Sequence, residues 1–267
     1  MPELPEVETM AAQVRSRLVG RTITAFEARW RPQCEPSVAE VARGLTGRRV
    51  LQVGRRGKHV VWHLDDGSFA RIHFRMSGRF AFADTEEGRG PHVRAVWTLD
   101  RGPALALVDA RKWGRIRWTP DRAGVDEGQG VEPLSADFTP ASLASLVGRT
   151  TRALKALLLD QAVIAGLGNI YTDEALFRAG LHPRRPACSL SGADAARLHA
   201  AIVAVLREGI AANGTSFDWI WPGGHMQDHL RVYGRTGLPC VACGAPIART
   251  LVGQRGTHFC PRCQAAG

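Results

Sequence analysis

The apolar positions of this chain change their period twice. Val7, Met10, Ala11, Val14 and Leu18 recur at helical spacing and predict a helix over residues 3–18. Pro2 and Pro5 stand at its start, Glu3, Glu6 and Glu8 lie near the positive end of its dipole, and Gly20 ends it. A period of two then takes over. Thr22–Phe26, Arg49–Arg55, His59–Leu64, Phe69–Phe74, Arg79–Ala83, Val93–Leu99, Ala104–Asp109 and Gly114–Thr119 read as short strands. They are separated by Asp65-Asp66-Gly67, Gly88–Pro91 and Asp100–Pro103, the spacing of a sandwich or barrel. Pro36–Leu45 reads as a helix inserted among them. Residues 120–140 are rich in Gly, Pro and acids and read as a linker. Beyond it the helical period returns in Pro140–Val147, Thr151–Leu159, Asn169–Ala179 and Ser191–Asn213, broken by Ala165-Gly-Leu-Gly168. Gly214–His229 reads as a loop. The chain has no internal repeat and no low-complexity tract.

Composition narrows the class. A length of 267 residues exceeds what one core usually holds, so two or three domains are expected, and 45% hydrophobic content excludes wholesale disorder. Net charge is +10 and arginine supplies nearly all of it, for lysine occurs only at Lys58, Lys112 and Lys155. Such a balance points to nucleic acid or another anionic surface. No apolar run approaches the ~18 residues of a membrane span. The acidic start, Met1-Pro-Glu-Leu-Pro-Glu-Val-Glu8, is unlike a signal peptide. Cys34 and Cys188 read as reduced thiols, and a cytoplasmic bacterial protein is the expectation.

The remaining cysteines form Cys240-Val-Ala-Cys243 and Cys260-Pro-Arg-Cys263, two CxxC pairs separated by sixteen residues. That spacing converges four thiolates on one tetrahedral Zn²⁺. Gly244, Gly253 and Gly256, with Ile247, Leu251 and Val252, suit a β-hairpin between the pairs. From Leu230 onward there are five arginines and no acid. The pattern fits a zinc module that meets a polyanion; a structural module without a ligand of its own remains open at this point.

Several motifs together resemble one family. Pro2-Glu-Leu-Pro-Glu-Val-Glu-Thr9 is similar to the start of bacterial formamidopyrimidine-DNA glycosylases. The likeness continues in Arg56-Gly-Lys58, His73-Phe-Arg-Met-Ser-Gly78, Asp109-Ala-Arg-Lys-Trp-Gly114 and Glu132-Pro-Leu-Ser135. It runs on through Asp160-Gln161, Ala165-Gly-Leu-Gly-Asn-Ile-Tyr-Thr-Asp-Glu-Ala-Leu-Phe177, Gly214-Thr-Ser216, Val232-Tyr-Gly-Arg235 and the cysteine module ending at Gln264. The resemblance implies a multidomain α+β protein. An N-terminal antiparallel β-sandwich with its N-terminal helix would occupy 1–133, a helix–two-turns–helix domain 134–229 and a β-hairpin zinc finger 230–267.

The resemblance also implies a chemistry. With Met1 removed, Pro2 becomes a secondary amine that attacks C1′ of a damaged nucleoside and forms a Schiff base. Glu3 would protonate the sugar ring oxygen. Lys58 would donate a proton during β-elimination, and Arg255 would bind the phosphates at the lesion and serve δ-elimination. Glu6 and Glu174 are weaker candidates for holding the amine and water. Met76, Arg111 and Trp113 match the positions that fill the space of a flipped base; Trp113 stands where the family has Phe. His73, His92, Lys155, Asn169 and Tyr233 are implied DNA contacts. The first histidine of the family's paired segment is absent before His92. Asn169, at an expected helix start, would hold a phosphate together with free N–H groups. Cys240, Cys243, Cys260 and Cys263 would hold one structural Zn²⁺. The implied partner is double-stranded DNA with oxidised bases, bound by a monomer. Two other readings stay open: the sibling branch acting on oxidised pyrimidines, which Leu4 argues against because that branch begins Pro-Glu-Gly-Pro, and a noncatalytic binder of damaged DNA. The segment Phe217–Arg231 leaves lesion preference open.

Overall fold

The computed structural model describes residues 1–216 and 223–265. The described residues fall into two compact units. The first comprises Met1–Pro2 and Glu6–Glu127. It holds most of helix α1 (Leu4–Leu18), whose apolar stripe of Val7, Met10, Ala11, Val14 and Leu18 is buried throughout. Strands β1 (Ile23–Ala28), β6 (Gly78–Phe82), β7 (Val93–Leu99) and β8 (Leu105–Asp109) form an antiparallel sheet in the order β1-β7-β8-β6. Strands β2 (Cys34–Glu35), β3 (Val50–Arg56), β4 (His59–Leu64), β5 (Phe69–His73) and β9 (Arg115–Thr119) form a second sheet in the order β2-β9-β5-β4-β3. The second sheet is antiparallel except where β2 runs parallel to β9.

The inner faces meet over aromatic rings. Trp62 of β4 stands edge-on to Trp97 of β7 at 5.0 Å and lies 5.9 Å from Phe80 of β6. Alternation decides which side chains take part: Ala70 and Ile72 of β5 are buried, while Arg71 and His73 point to the outer face. Each fully buried large apolar side chain contributes about 1.5–3 kcal/mol, so the two-residue period is sufficient to fix the register.

Four short elements depart from the pattern. Strand β2 has two residues, too few for a periodic signal. Helix α2 (Val38–Leu45) starts two residues later than Pro36, because the Ser37 hydroxyl caps it by accepting from the Glu40 N–H. Helix α3 (Glu86–Arg89) and helix α4 (Arg122–Asp126) replace expected turn and linker. Thr85 and Asp121 accept from the N–H groups of Gly88 and Gly124, so capping made helices where glycine and acid content suggested none.

The second unit comprises Glu3–Pro5, Gly128–Ser216 and the described residues from Gly223 onward. Helices α5 (Pro140–Gly148), α6 (Leu154–Leu158), α7 (Asn169–Ala179) and α8 (Gly192–Ala211) surround a core containing Leu143, Leu158, Tyr171, Leu176 and Leu198. Thr139 and Ser191 close capping boxes at α5 and α8. Helix α7 is buried on nearly every side, as a central helix must be. The chain then forms a hairpin of β10 (Ala248–Val252) and β11 (Arg255–Phe259). Its two-residue turn, Gly253-Gln254, takes φ of 54° and 61°, the positive values that suit right-twisted strands. Of the loop expected at 214–229, residues 217–222 lie outside the described residues, and Met226–His229 is a 3₁₀ turn. No described helix is long and apolar enough to cross a membrane.

Candidate active site and metal centre

In the first unit, Pro2 is half-buried. Lys58 occupies the two-residue turn between β3 and β4 rather than a strand start, since Arg56 pairs with His59 across it. Gly57 supplies the left-handed φ of 55° that the turn requires, and Arg55 donates to the Gly57 carbonyl at 3.0 Å. Lys58 is only 4% exposed. Glu6 is buried as well.

The three candidate filling residues sit on two loops fixed by one buried carboxylate. Met76 lies in the turn from β5 to β6, and Arg111 and Trp113 lie between β8 and β9. Asp109, the fully buried last residue of β8, accepts from the Ser77 hydroxyl and the Arg111 N–H (3.2 Å) through Oδ1. Its Oδ2 accepts from the Gly114 N–H at 2.7 Å. Lys112, at φ 61°, turns the second loop outward. Trp113 is therefore 51% exposed, with the Arg111 guanidinium 5.5 Å from its ring centre. An indole this exposed adds nothing to a core. The sequence pointed to the loop residues but not to Asp109, whose signal was an acid five positions before a glycine.

His73 ends β5. Its Nδ1 accepts the Arg75 N–H at 2.9 Å and its ring stands edge-on to His59 at 4.6 Å. Burial, then the charges of Arg75, Lys58, Arg71 and Arg115, push its pKa down to about 3. With Nδ1 accepting, the neutral ring carries its hydrogen on Nε2. His92 is exposed, with Nδ1 3.4 Å from Arg94 Nη2.

In the second unit, Glu3 is 3% exposed and its carboxylate caps α7. Oε1 accepts the Ile170 N–H at 3.0 Å and Oε2 the Tyr171 N–H at 3.3 Å. Two of the N–H groups at this helix start, expected to be free for phosphate, are thus taken by Glu3. The two glycines before the helix have distinct reasons. A Cβ on Gly168 would lie 2.3 Å from Glu3 Cδ, and one on Gly166, at φ 95°, would lie 2.7 Å from Leu4 Cδ1. The Leu4 N–H also donates to the Gly166 carbonyl at 3.0 Å. The Gly-Leu-Gly break exists so that the chain carrying Glu3 can lie against it.

Lys155, expected as a DNA contact, is fully buried, with Nζ 2.7 Å from Asp173 Oδ1 and 3.0 Å from the Gly256 carbonyl it donates to. Burial lowers its pKa, and Asp173 opposes the shift. Asn169 Nδ2 donates to that same carbonyl at 2.9 Å, so two helices hold the peptide next to Arg255. Arg255 is exposed, directly after the hairpin turn. Asp173 Oδ2 accepts the His258 N–H at 2.9 Å. Glu174, a weaker candidate for holding the amine and water, holds backbone. Its carboxylate accepts the N–H groups of Arg231, Val232 and Tyr233 at 2.9, 2.9 and 2.8 Å. Burial raises its pKa against those three donors. Two adjacent acids of α7 therefore fix the hairpin and the segment leading to it. Sequence reasoning missed Asp173, although an acid pair inside an otherwise buried helix was the available signal. Tyr233 is half-buried against His258 at 4.9 Å, and burial raises its phenol pKa.

The sulfurs of Cys240, Cys243, Cys260 and Cys263 lie within 4.8 Å of one another. Cys240 and Cys263 are 3.9 Å apart, Cys243 and Cys260 3.5 Å. A tetrahedron with Zn–S near 2.3 Å has edges of about 3.8 Å, so the donor set fits Zn²⁺. The N–H groups of Ala242 and Cys263 point at Cys240 Sγ and Cys260 Sγ at 3.4 Å, which supports thiolates. Gln264 locks the module to the helices by accepting from Cys260 N–H and donating to the Leu181 carbonyl at 2.9 Å.

An antiparallel sandwich with paired loops over a buried acid, a helical domain and a cysteine hairpin that carries arginine define a zinc-finger protein of the DNA-binding class. Comparison gives the family. The models of the formamidopyrimidine-DNA glycosylase N-terminal domain, the formamidopyrimidine-DNA glycosylase H2TH domain and the zinc finger found in FPG and IleRS match residues 1–116, 129–219 and 237–266. A formamidopyrimidine-DNA glycosylase of Chloroflexus aurantiacus is 43% identical, with 99% of this chain and 98% of the relative covered. One from Geobacillus kaustophilus is 42% identical, with 99% and 100% covered. The crystal structure of MutM (Fpg) from Thermus thermophilus superposes with a TM-score of 0.88 at 39% identity over 100% of both chains. The wild-type Lactococcus lactis Fpg (MutM) bound to DNA containing N7-benzyl-Fapy-dG gives 0.91 at 33% identity, covering 99% of this chain and 100% of that one. The chain belongs to the formamidopyrimidine-DNA glycosylase family.

Proposed function

We propose that this protein is a bifunctional DNA glycosylase and abasic-site lyase of base excision repair, acting on oxidised purines in double-stranded DNA. The observation that carries the mechanism is the placement of Glu3: buried, held by two backbone N–H groups of α7, and bonded to Pro2.

After removal of Met1, the neutral Pro2 amine attacks C1′, the bond from C1′ to the damaged base breaks, and the base leaves carrying a proton. Glu3 delivers a proton to the sugar ring oxygen, and the ring opens to the iminium. The two N–H groups receive the charge left on Glu3. Loss of a C2′ proton then expels the 3′ phosphate, with Lys58 as the proton donor. Arg255, braced through Gly256, grips the phosphates at the lesion and serves the second elimination. Met76 enters the vacated space, Arg111 reads the orphaned base and Trp113 stacks. His73, His92, Asn169 and Tyr233 complete the DNA contacts.

The four cysteines would hold one Zn²⁺, which braces the hairpin and takes no part in the chemistry. We assign the sandwich to 1–133, the helical domain to 134–229 and the finger to 230–267, working as a cytoplasmic monomer. The test is cleavage of duplexes that each carry one defined lesion. Excision of 8-oxoguanine and formamidopyrimidines ahead of oxidised pyrimidines is expected. A preference for the pyrimidines would transfer the chain to the sibling branch, and binding without cleavage would leave a noncatalytic protein.

A further inference from the structure

The outer face of the five-stranded sheet carries arginines that the mechanism does not use, beside His73, which it does. Cross-strand register lines them up. His59 of β4 lies opposite His73 of β5, and His73 lies opposite Arg115 of β9. In the next row Arg71 lies directly opposite Arg117, with Glu35 of β2 beyond it. Like charges directly opposite on a sheet are destabilising. Together with Arg75 these side chains line an open cavity of about 130 Å³. Glu35 is the one carboxylate among the described residues of its lining.

The arginines are held from behind. Arg71 Nη1 donates to the Gly124 and Glu127 carbonyls at 3.1 and 3.3 Å, at the end of α4. Its Nε is buried with no hydrogen-bond partner among the described residues. Arg115 Nη1 donates to the Trp113 and Gly114 carbonyls, and its Nε lies 3.3 Å from Glu35. Arg117 Nη1 is 2.5 Å from Glu127. Arg71 and Arg117 are anchored through Nη1, and the planar guanidinium fork suits phosphate oxygens. Both histidines are neutral in this surrounding, because burial and the neighbouring cations hold their pKa values down. The cavity therefore presents fixed donors and excess positive charge, and among the described residues its lining offers no apolar wall for an organic ligand.

We infer that this pocket binds a phosphate group and that the nucleic acid acted on supplies it. The second half rests on the glycosylase reading above; the first half does not. Such a site gives the sandwich its own grip on the DNA backbone, apart from the residues that enter the helix. A bound anion would add to the Glu127 and Glu35 carboxylates that already offset Arg117 and Arg115.

The test uses the full-length, zinc-loaded protein and inorganic phosphate. At matched ionic strength, replacing chloride by phosphate should raise the Tm of the wild type in a saturable way, since only a ligand of the folded state stabilises it. Arg117→Gln should weaken phosphate binding about tenfold, the worth of one charged hydrogen bond. Glu35→Gln removes the lining carboxylate and should strengthen it, an opposite sign that loss of folding cannot mimic. No saturable Tm rise in the wild type, or the same phosphate affinity in all three proteins, overturns the site. For the source of the phosphate, the salt dependence of duplex binding is compared. Arg117→Gln should lower the slope of log K against log salt by about 0.9, the loss of one phosphate contact. An unchanged slope alongside intact phosphate binding refutes DNA as the source. Neither failure touches the glycosylase reading, which is tested through Pro2.

Discussion

Gly168→Ala isolates the placement of Glu3 without touching it. Gly168 has φ −132° and ψ −161°, extended backbone that alanine adopts freely, so the substitution carries no conformational penalty of its own. The added Cβ would stand 2.3 Å from Glu3 Cδ, 2.5 Å from Oε1 and 2.6 Å from Cγ. Carbon atoms rest at about 3.5–4.0 Å, so the carboxylate must retreat by roughly 1 Å. That retreat breaks the bonds from the Ile170 and Tyr171 N–H groups. Two charge-assisted bonds and an uncapped helix start together cost about 2–4 kcal/mol. A displacement of this size at a reacting group costs about 100-fold in rate. Single-turnover excision of 8-oxoguanine opposite cytosine should slow accordingly, with cleavage of a preformed abasic site harmed less. Urea unfolding of Gly168→Ala, Glu3→Ala and the double variant gives the coupling: without Glu3, the extra methyl should cost little more. Gly168→Ala with wild-type excision and wild-type stability would refute the assigned contact.

Arg111→Ala should lower activity opposite cytosine and flatten discrimination between cytosine and adenine, a loss of about 1–3 kcal/mol; Trp113→Ala should lower activity about equally for every opposite base. Kinetics on duplexes differing only at that base decide between the roles, and the reverse pattern exchanges them. Cys243→Ser or chelation should release zinc, measured by elemental analysis, and weaken DNA binding while the sandwich stays folded; binding unaffected by zinc loss would contradict a finger that positions Arg255. Acid should destabilise the sandwich through its neutral histidines. The folded pKa of His73 is about 3 against an ordinary 6.5, and that of His59 is also depressed. The unfolded chain therefore takes up protons first, and the His73 contribution, full above 6.5, is lost as pH falls toward about 3, by up to about 1.4 kcal/mol per pH unit, with His59 acting in the same direction. Denaturant midpoints between pH 7 and 5 should fall less in His73→Gln than in the wild type, and equal slopes would refute the assignment.

The sandwich was legible because burial imposes a period of two: Ala70, Ile72 and Ile116 face inward while Arg71 and Arg117 face out. Helix α1 was legible for the same reason at another period. What escaped were elements set by a single polar contact. Helix α4 depends on Asp121 capping Gly124, and its setting in the Gly-, Pro- and acid-rich stretch 120–140 read as linker. The zinc centre was visible from spacing alone, because a tetrahedron admits few arrangements. Trp113 was readable as exposed from its basic, glycine-flanked setting. The burial of Lys155 was not legible because lysine is almost never fully buried unless paired, and its partner Asp173 lies a helix away. The capping of α7 by Glu3 joins residues 167 positions apart, beyond any local pattern. Glycines at 166 and 168 were visible, but their reason, the passage of Leu4 and Glu3, needed the fold.

The central claim is that the amine of Pro2 becomes covalently bonded to the lesion sugar. Borohydride added during turnover on a duplex with one 8-oxoguanine reduces an iminium to a stable amine, and peptide mapping of the adduct locates the attachment. The account predicts a one-to-one protein–DNA adduct on a mature chain beginning at Pro2, with the DNA on that residue. Robust excision with no adduct, or an adduct carried by Lys58, would contradict it.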